Sequence, residues 1–199
     1  MASIEFFFDY GSPASYLAYT QVPGLAQRTG ATIVYRPMLL GGVFKATGNQ
    51  SPINIPAKGA WMMTDLPRFA KRYGVPYVRN PHFPINTLNL MRGAIAAEIE
   101  GRLIPYSDAV FRAIWADQKR MEDPIVIGDV LRAAGLDPAA MLAAIGKPEV
   151  KDKLKAVTEE AVARGVFGAP TFFVGKHMFF GQDRLDFVEE EARRGSKTG

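Results

Sequence analysis

Residues 4–17, IEFFFDYGSPASYL, join a short apolar run to a turn and to the start of a helix. The aromatic-rich segment 4–8 predicts a buried strand, and the turn that follows closes it. Ser12 is a natural helix N-cap, and Pro13 suits the first helical position, where its missing N–H costs nothing. Ser12 is therefore expected beside the free N–H groups of a helix N-terminus, where an anion such as a thiolate is stabilised. Taken alone, an ordinary capping serine is the simpler interpretation.

The other end of the chain changes that interpretation. Residues 168–171, Gly-Ala-Pro-Thr, precede the apolar run 172–174. This turn and strand, taken with Ser12, indicate a thioredoxin-like fold, in which a strand–turn–helix active site faces a cis proline. Positions 12–15, Ser-Pro-Ala-Ser, stand where that fold carries Cys-x-x-Cys. The chain has no cysteine, so a reactive sulfur would have to arrive with a ligand.

Composition excludes several other classes of function. The 199 residues, of which 48% are hydrophobic, suit one compact unit with a large insertion. The formal net charge of +4 is small and spread along the chain, so nucleic acid is not an expected partner. No apolar run approaches the roughly 20 residues that span a bilayer, and no signal peptide is evident, so a cytoplasmic location is expected. The two histidines, His82 and His177, lack partners at metal-ligand spacing, and no metal site is expected.

The order of elements predicts an α/β chain with the layout βαβ, helical insertion, ββα. Residues 1–37 and 168–195 are expected to form a discontinuous thioredoxin-like domain. Residues 38–167 are expected to form a connecting loop followed by an all-helical insertion. Within that part, residues 38–54 contain many glycine and proline breakers and predict a loop.

A second candidate site lies where the last strand ends. Gly181-Gln182-Asp183-Arg184 begins the final helix, so its N–H groups and side chains are expected at the same edge of the sheet as Ser12. Asp183 as a plain N-cap is the simpler interpretation, whereas a functional Asp183 would hold the ammonium group of a ligand. Pro170, if cis, would leave the backbone of Ala169 free to pair with a peptide ligand.

Five motifs, in this order along nearly the whole chain, resemble those of the kappa-class glutathione transferase group. Within that group the chain most resembles the 2-hydroxychromene-2-carboxylate isomerases, glutathione-dependent enzymes of naphthalene-type catabolism, and it shares the DsbA-like arrangement of their fold. The motifs are FDYGSPASY (8–16), GNQ (48–50), PAKG (56–59), FGAPT (167–171) and FGQDRL (180–185).

The resemblance implies roles for individual residues. Ser12 would hydrogen-bond the glutathione sulfur and favour its thiolate, and the Ala169 backbone before Pro170 would pair with the cysteinyl backbone. The Gly181 turn with Gln182 and Asp183 would hold the γ-glutamyl end.

The same resemblance places further residues around the cofactor and the substrate. Asn49 and Lys58 match positions near glutathione, and Lys45 and Asn54 match positions on the substrate side. One departure is Ile55, where a related isomerase pattern carries a basic residue. A homodimer with a small aromatic carboxylate as substrate is also implied.

Three functions stay open on these residues. The first is an isomerase that uses glutathione as a cofactor and adds its thiolate transiently to a conjugated C=C bond. The second is a kappa-like transferase or peroxidase that consumes glutathione in the same pocket. The third is a non-catalytic thioredoxin-fold binding module that has lost its cysteines.

Overall fold

The computed structural model describes residues 2–195 and contains one four-stranded mixed sheet. Its strands are β1 (Ser3–Phe8), β2 (Thr32–Pro37), β3 (Thr171–Val174) and β4 (His177–Phe180), in the order β2-β1-β3-β4. β2 lies parallel to β1, whereas the β3–β4 hairpin runs antiparallel to it. The predicted sharing of one sheet by the βαβ half and the hairpin half is confirmed.

Nine α-helices lie within the same residues. They are α1 (Pro13–Thr29), α2 (Leu40–Thr47), α3 (Pro56–Tyr73), α4 (Leu88–Ile99), α5 (Leu103–Trp115), α6 (Pro124–Ala133), α7 (Pro138–Ala144), α8 (Pro148–Ala163) and α9 (Leu185–Gly195). Two short 3₁₀ helices, Pro52–Asn54 and Gln182–Arg184, precede α3 and α9. None of these helices is long and apolar enough to cross a bilayer.

The centre of the sheet is covered on both faces, which explains why β1 reads as an unbroken apolar run. Phe6 stacks on Phe8 and on Phe172 of β3 on one face, within the larger core cluster. Phe7 points the other way and packs edge-on against Phe173, in a smaller cluster. Alternating side chains of one strand therefore anchor two separate helical layers.

Local sequence signals account for many of the helix ends. Ser12, Asp123 and Asp137 cap α1, α6 and α7 through side-chain oxygens that accept backbone N–H groups. Gly30 ends α1 in the left-handed conformation, with φ +67°, which glycine adopts without strain.

The prediction of a loop over residues 38–54 was wrong. This segment contains α2 and a 3₁₀ helix. Met38 and Val43 are fully buried in the smaller cluster with residues of α8. A Cβ on Gly42 would lie 3.1 Å from Thr158 Cγ2, so this glycine, although it weakens the helix, allows α2 to approach α8 closely.

Two residues depart from what their sequence context suggests. A proline inside a helix commonly kinks or breaks it, but α3 continues through Pro67; Pro67 is exposed, so water can solvate the carbonyl that loses its partner. Asp183 is not the N-cap of the last helix, because it lies inside the preceding 3₁₀ turn. The division of the chain into two parts at residues 37 and 168 stays a prediction. The larger core cluster contains residues from both parts, so the packing does not separate them.

The helical insertion is tied directly to the turn that follows β1. The indole Nε1–H of Trp115, at the end of α5, donates to the Tyr10 carbonyl at 2.8 Å. The Tyr10 hydroxyl and Ser107 Oγ, also on α5, are 2.7 Å apart. Both contacts are buried, so α5 fixes the turn that leads into Ser12.

Candidate functional site

Ser12 lies at the N-terminus of α1, as its sequence context predicts. Its Oγ accepts the backbone N–H of Ser15 at 3.1 Å and donates to the carbonyl of Ala169 at 3.0 Å. The residue is only 5% exposed. A single hydroxyl therefore lies between the positive end of the α1 dipole and the backbone that precedes β3.

The Ala169–Pro170 peptide bond, whose isomer the sequence left open, is cis. The Pro170 carbonyl accepts the N–H of Gly181 at 3.0 Å. These contacts bring the turn before β3 and the turn after β4 together, next to Ser12.

Gly181, Gln182 and Asp183 form another part of the same site. Gly181 has φ +105°, a conformation that L side chains rarely adopt. The Gln182 carbonyl accepts the Tyr73 hydroxyl of α3 at 2.9 Å. Asp183 is exposed and forms an ion pair with Arg184 at 2.7 Å. This turn thus presents a carboxylate beside backbone groups at the edge of the cavity.

These elements surround a cavity of about 520 Å³. The predicted site residues that line it are Ser12, Asn49, Lys58, Ala169, Pro170, Gly181, Gln182 and Asp183. Asn49 follows the glycine that ends α2 and donates from Nδ2 to the Phe167 carbonyl at 2.8 Å. Lys58 is exposed in the first turn of α3 and has no ion-pair partner within residues 2–195, so its charge is available to a ligand.

Lys45 and Asn54 lie outside this lining. Lys45 follows Phe44 on α2 and is turned away by about 100° from the face that borders the cavity. Asn54 is exposed and donates from Nδ2 to Gln50 Oε1 at 3.3 Å. Their predicted contact with a substrate stays a prediction, and it requires both side chains to turn inward.

The sequence prediction missed the apolar wall of the cavity. This wall consists of Leu40, Phe44, Ile53, Ile55, Trp61, Met62, Leu66 and Phe83. Leu40 and Phe44 are spaced by four residues on α2, a signal that a helical interpretation of this segment would have revealed. Ile55, the departure from the isomerase pattern, contributes apolar surface where that pattern has a positive charge.

Two carboxylates near Ser12 were also missed. Asp65 of α3 lines the cavity and is mostly buried, with Arg68 at 3.6 Å as its ion-pair partner. Asp9, at the end of β1, lies just beneath the Ser12 turn and is 1% exposed. Burial raises the pKa of the Asp9 carboxyl, against the opposing effect of its hydrogen bonds.

The arrangement can stabilise an anion at the end of α1 and hold a zwitterionic ligand between Lys58 and Asp183. Its apolar wall offers a planar molecule a hydrophobic surface beside that anion. No group of three or more metal-ligating side chains occurs in the described part of the chain. Next to its apolar wall, the site offers a hydroxyl at a helix N-terminus.

Comparisons with known proteins identify the family of the fold. A family model described as a DSBA-like thioredoxin domain matches residues 3–193. A 2-hydroxychromene-2-carboxylate isomerase from Sphingobium xenophagum is 35% identical, over 94% of this chain and 96% of that protein. Glutathione S-transferase kappa 1 from Caenorhabditis elegans is 29% identical, over 94% of this chain and 89% of that protein.

A solved structure gives the same relationship in three dimensions. The structure of a 2-hydroxychromene-2-carboxylate isomerase aligns with a TM-score of 0.88 at 30% sequence identity. The alignment covers 98% of this chain and 97% of that one. The helices between β2 and β3 thus belong to the shared architecture.

Proposed function

The chain belongs to the DSBA-like thioredoxin family, and from that premise we propose that it is a glutathione-dependent isomerase. The proposed reaction converts 2-hydroxychromene-2-carboxylate to trans-o-hydroxybenzylidenepyruvate, a step in the catabolism of aromatic hydrocarbons such as naphthalene. The relatives named as isomerases support the reaction, and the kappa-class relatives support the use of glutathione.

One observation carries the proposal. In a chain without cysteine, the Ser12 hydroxyl stands at the α1 N-terminus, 3.0 Å from the Ala169 carbonyl and on the wall of a cavity. In a thioredoxin fold this is the position of the reactive thiol. The chain has kept the environment that stabilises a thiolate, although it has no thiol of its own.

The residues around the cavity fit a glutathione molecule. Lys58 offers an unpaired cation for a carboxylate, and Asp183 offers a carboxylate for the γ-glutamyl ammonium group. The Ala169 carbonyl can accept the cysteinyl N–H when Ser12 turns its hydrogen toward the sulfur. Gly181, Gln182 and Asn49 complete the polar part of the lining, and Pro170 packs beside it.

When bound, glutathione would supply a thiolate nucleophile for reversible addition to the conjugated carbon of the ring-opened hemiketal, and it would be regenerated rather than consumed. Ser12 contributes by donating a hydrogen bond to the anionic sulfur. Relative to a free thiol pKa of about 8.5, this bond and the α1 N-terminus favour the thiolate by about 1 kcal/mol or more each. Phe44, Trp61 and Phe83 exclude water from the aromatic substrate and orient it.

The test compares the isomerisation rate of 2-hydroxychromene-2-carboxylate with purified protein in the presence and absence of glutathione. We expect activity only with glutathione, and an unchanged glutathione concentration after many turnovers. A rate that does not depend on glutathione would exclude the proposal.

A kappa-like transferase or peroxidase is the second candidate, because a kappa-class relative aligns over almost the whole chain. Stoichiometric loss of glutathione with chlorodinitrobenzene or a hydroperoxide, faster than isomerisation, would favour it. We also propose a homodimer that works in the cytoplasm, where reduced glutathione is abundant. Size-exclusion chromatography with light scattering tests the dimer.

A further inference from the structure

Asp9 joins three segments beneath the cavity, although its side chain does not line it. Its Oδ1 accepts the N–H of Gly11 and its backbone carbonyl accepts the N–H of Ser12, at 2.8 and 3.0 Å. The two amides that lead into α1 are therefore both held by one residue.

The other carboxylate oxygen is anchored from outside the turn. Asp9 Oδ2 accepts the N–H of Leu40, the first residue of α2, at 2.8 Å. Leu39, the N-cap of α2, makes no capping bond with its side chain, so Asp9 satisfies an otherwise free amide at a helix N-terminus. The Thr87 side chain, which precedes α4, is close enough to the same carboxylate to lower its pKa.

The Asp9 carboxylate has little freedom to move. Asp9 is 1% exposed, so water cannot replace a lost acceptor. A Cβ on Gly11 would lie 3.1 Å from Thr87 Cγ2 and 3.3 Å from Asp9 Oδ1, which shows how closely these groups pack. A shift of the carboxylate would therefore be transmitted to the turn and to the Ser12 hydroxyl.

We propose that Asp9 is a positioning residue for the reaction, which acts through Ser12. The N-terminus of α2 holds its carboxylate, with Thr87 packed against the same turn, and the carboxylate with its backbone carbonyl fixes the turn that places the Ser12 Oγ against the sulfur-binding position. This inference rests on the proposed glutathione-dependent function.

The substitution Asp9→Asn tests the inference because it keeps the size of the side chain. An amide has one acceptor oxygen, so its NH₂ group would face either the Gly11 or the Leu40 N–H, and one of the two segments must move. We expect kcat to fall about 10- to 100-fold, the range in which displaced catalytic groups usually act. The affinity for S-methylglutathione is expected to change less than kcat, since Asp9 does not line the cavity and the residues that do are unchanged.

A double-mutant cycle with Ser12→Ala separates positioning from a purely structural role. If Asp9 acts through the Ser12 hydroxyl, Asp9→Asn will cost little further activity in the Ser12→Ala background. An equal loss of kcat in both backgrounds, or wild-type kcat in folded Asp9→Asn, would overturn the inference.

Glu5→Gln is the matched control, because Glu5 lies on β1, the strand that leads into Asp9, and accepts two hydrogen bonds from Arg164, away from the cavity. It is expected to lower stability and to leave kcat unchanged. If Asp9→Asn does not fold, the near-isosteric Thr87→Val is used in the same cycle. Thr87→Val is expected to lower kcat less than Asp9→Asn does, and to lower it mainly in the wild-type background. An unchanged kcat in Thr87→Val, or an equal loss of kcat in the wild-type and Ser12→Ala backgrounds, would overturn the inference.

The inference and the proposed function fail in different ways. Wild-type protein that ignores glutathione refutes the function. Wild-type protein that requires glutathione, combined with an additive Asp9→Asn effect, refutes only the positioning role of Asp9.

Discussion

Two serines one helical turn apart, Ser12 and Ser15, stand in contrasting environments. The Ser12 hydroxyl makes two hydrogen bonds and borders the cavity. Ser15 is fully buried, and its Oγ has no hydrogen-bond partner within the described residues. In the Cys-x-x-Cys arrangement both positions would carry sulfur, but here only the first has the surroundings of a reactive group.

Ser12→Ala should therefore lower kcat/KM by about 10- to 100-fold, which corresponds to roughly 1.5–3 kcal/mol for a hydrogen bond to a charged group. Steady-state kinetics with saturating glutathione measures it. Ser15→Ala is the control, and we expect unchanged kinetics and equal or higher thermal stability, because a buried unpaired hydroxyl is removed. Equal losses in the two variants would contradict a specific role for Ser12.

A second residue-scale prediction concerns pH. Hydrogen bonds from Arg164 are the main cause that lowers the pKa of Glu5 below its ordinary value of 4.5. The stabilisation by Glu5 is therefore complete above 4.5 and is lost as the pH falls through the lower pKa of the folded state. Urea unfolding of wild type and Glu5→Gln, from about pH 7 down to about pH 3, should show a stability difference that shrinks with acid. A difference that stays constant over this range would contradict the prediction.

At the scale of elements, α2 and α3 form the apolar wall of the cavity, and local sequence rules predict this part of the fold least well. The caps at Asp123 and Asp137 and the Gly175-Lys176 hairpin could be predicted because a few neighbouring residues determine them. α2 could not be predicted in this way, because Gly41-Gly42 disfavours a helix locally. α2 is stabilised instead by packing against α8. Tertiary contacts here override propensity.

Local sequence patterns also fail to place the site residues on and near α2 and α3. Asn49 and Lys58 could be placed near the cavity by resemblance alone. The outward direction of Lys45 follows from the helical phase of α2, which a loop prediction does not contain. The contacts of Asp9 link segments 31 and 78 residues apart in sequence, to Leu40 and Thr87, so no local pattern reveals them.

The α3 wall leads to a prediction about substrate binding. Trp61 lines the cavity and is 59% exposed, so its indole can pack against an aromatic substrate. Trp61→Ala should raise the substrate KM roughly 2- to 12-fold, from a loss of about 0.5–1.5 kcal/mol of aromatic contact. Ile125→Ala is the control, because Ile125 is 74% exposed on α6 and outside the cavity lining. An unchanged KM in Trp61→Ala would place the substrate against another wall.

For the whole molecule, the larger core cluster includes Phe8 of the sheet, Leu17 of α1, Phe111 of α5 and Leu154 of α8. The predicted insertion and the predicted thioredoxin-like part thus share one hydrophobic core. We expect a single cooperative unfolding transition for both.

Coincident urea transitions in far-UV and near-UV circular dichroism test this expectation, because they follow secondary structure and aromatic packing separately. Two resolved transitions would favour the division at residues 37 and 168 into units that unfold independently. Calorimetry provides the corresponding check, since the calorimetric and van't Hoff enthalpies should agree for one cooperative unit.

The positions of the two tryptophans have a practical consequence. Trp115 is fully buried and bonded to the Tyr10 backbone, whereas Trp61 is exposed at the cavity. The intrinsic fluorescence of the protein therefore combines a blue-shifted component from the core with a solvent-exposed component from the cavity wall. Quenching without a red shift would report an occupied cleft, and a red shift would report the melting of the interior. One emission spectrum can thus distinguish a protein that has lost its ligand from one that has lost its fold.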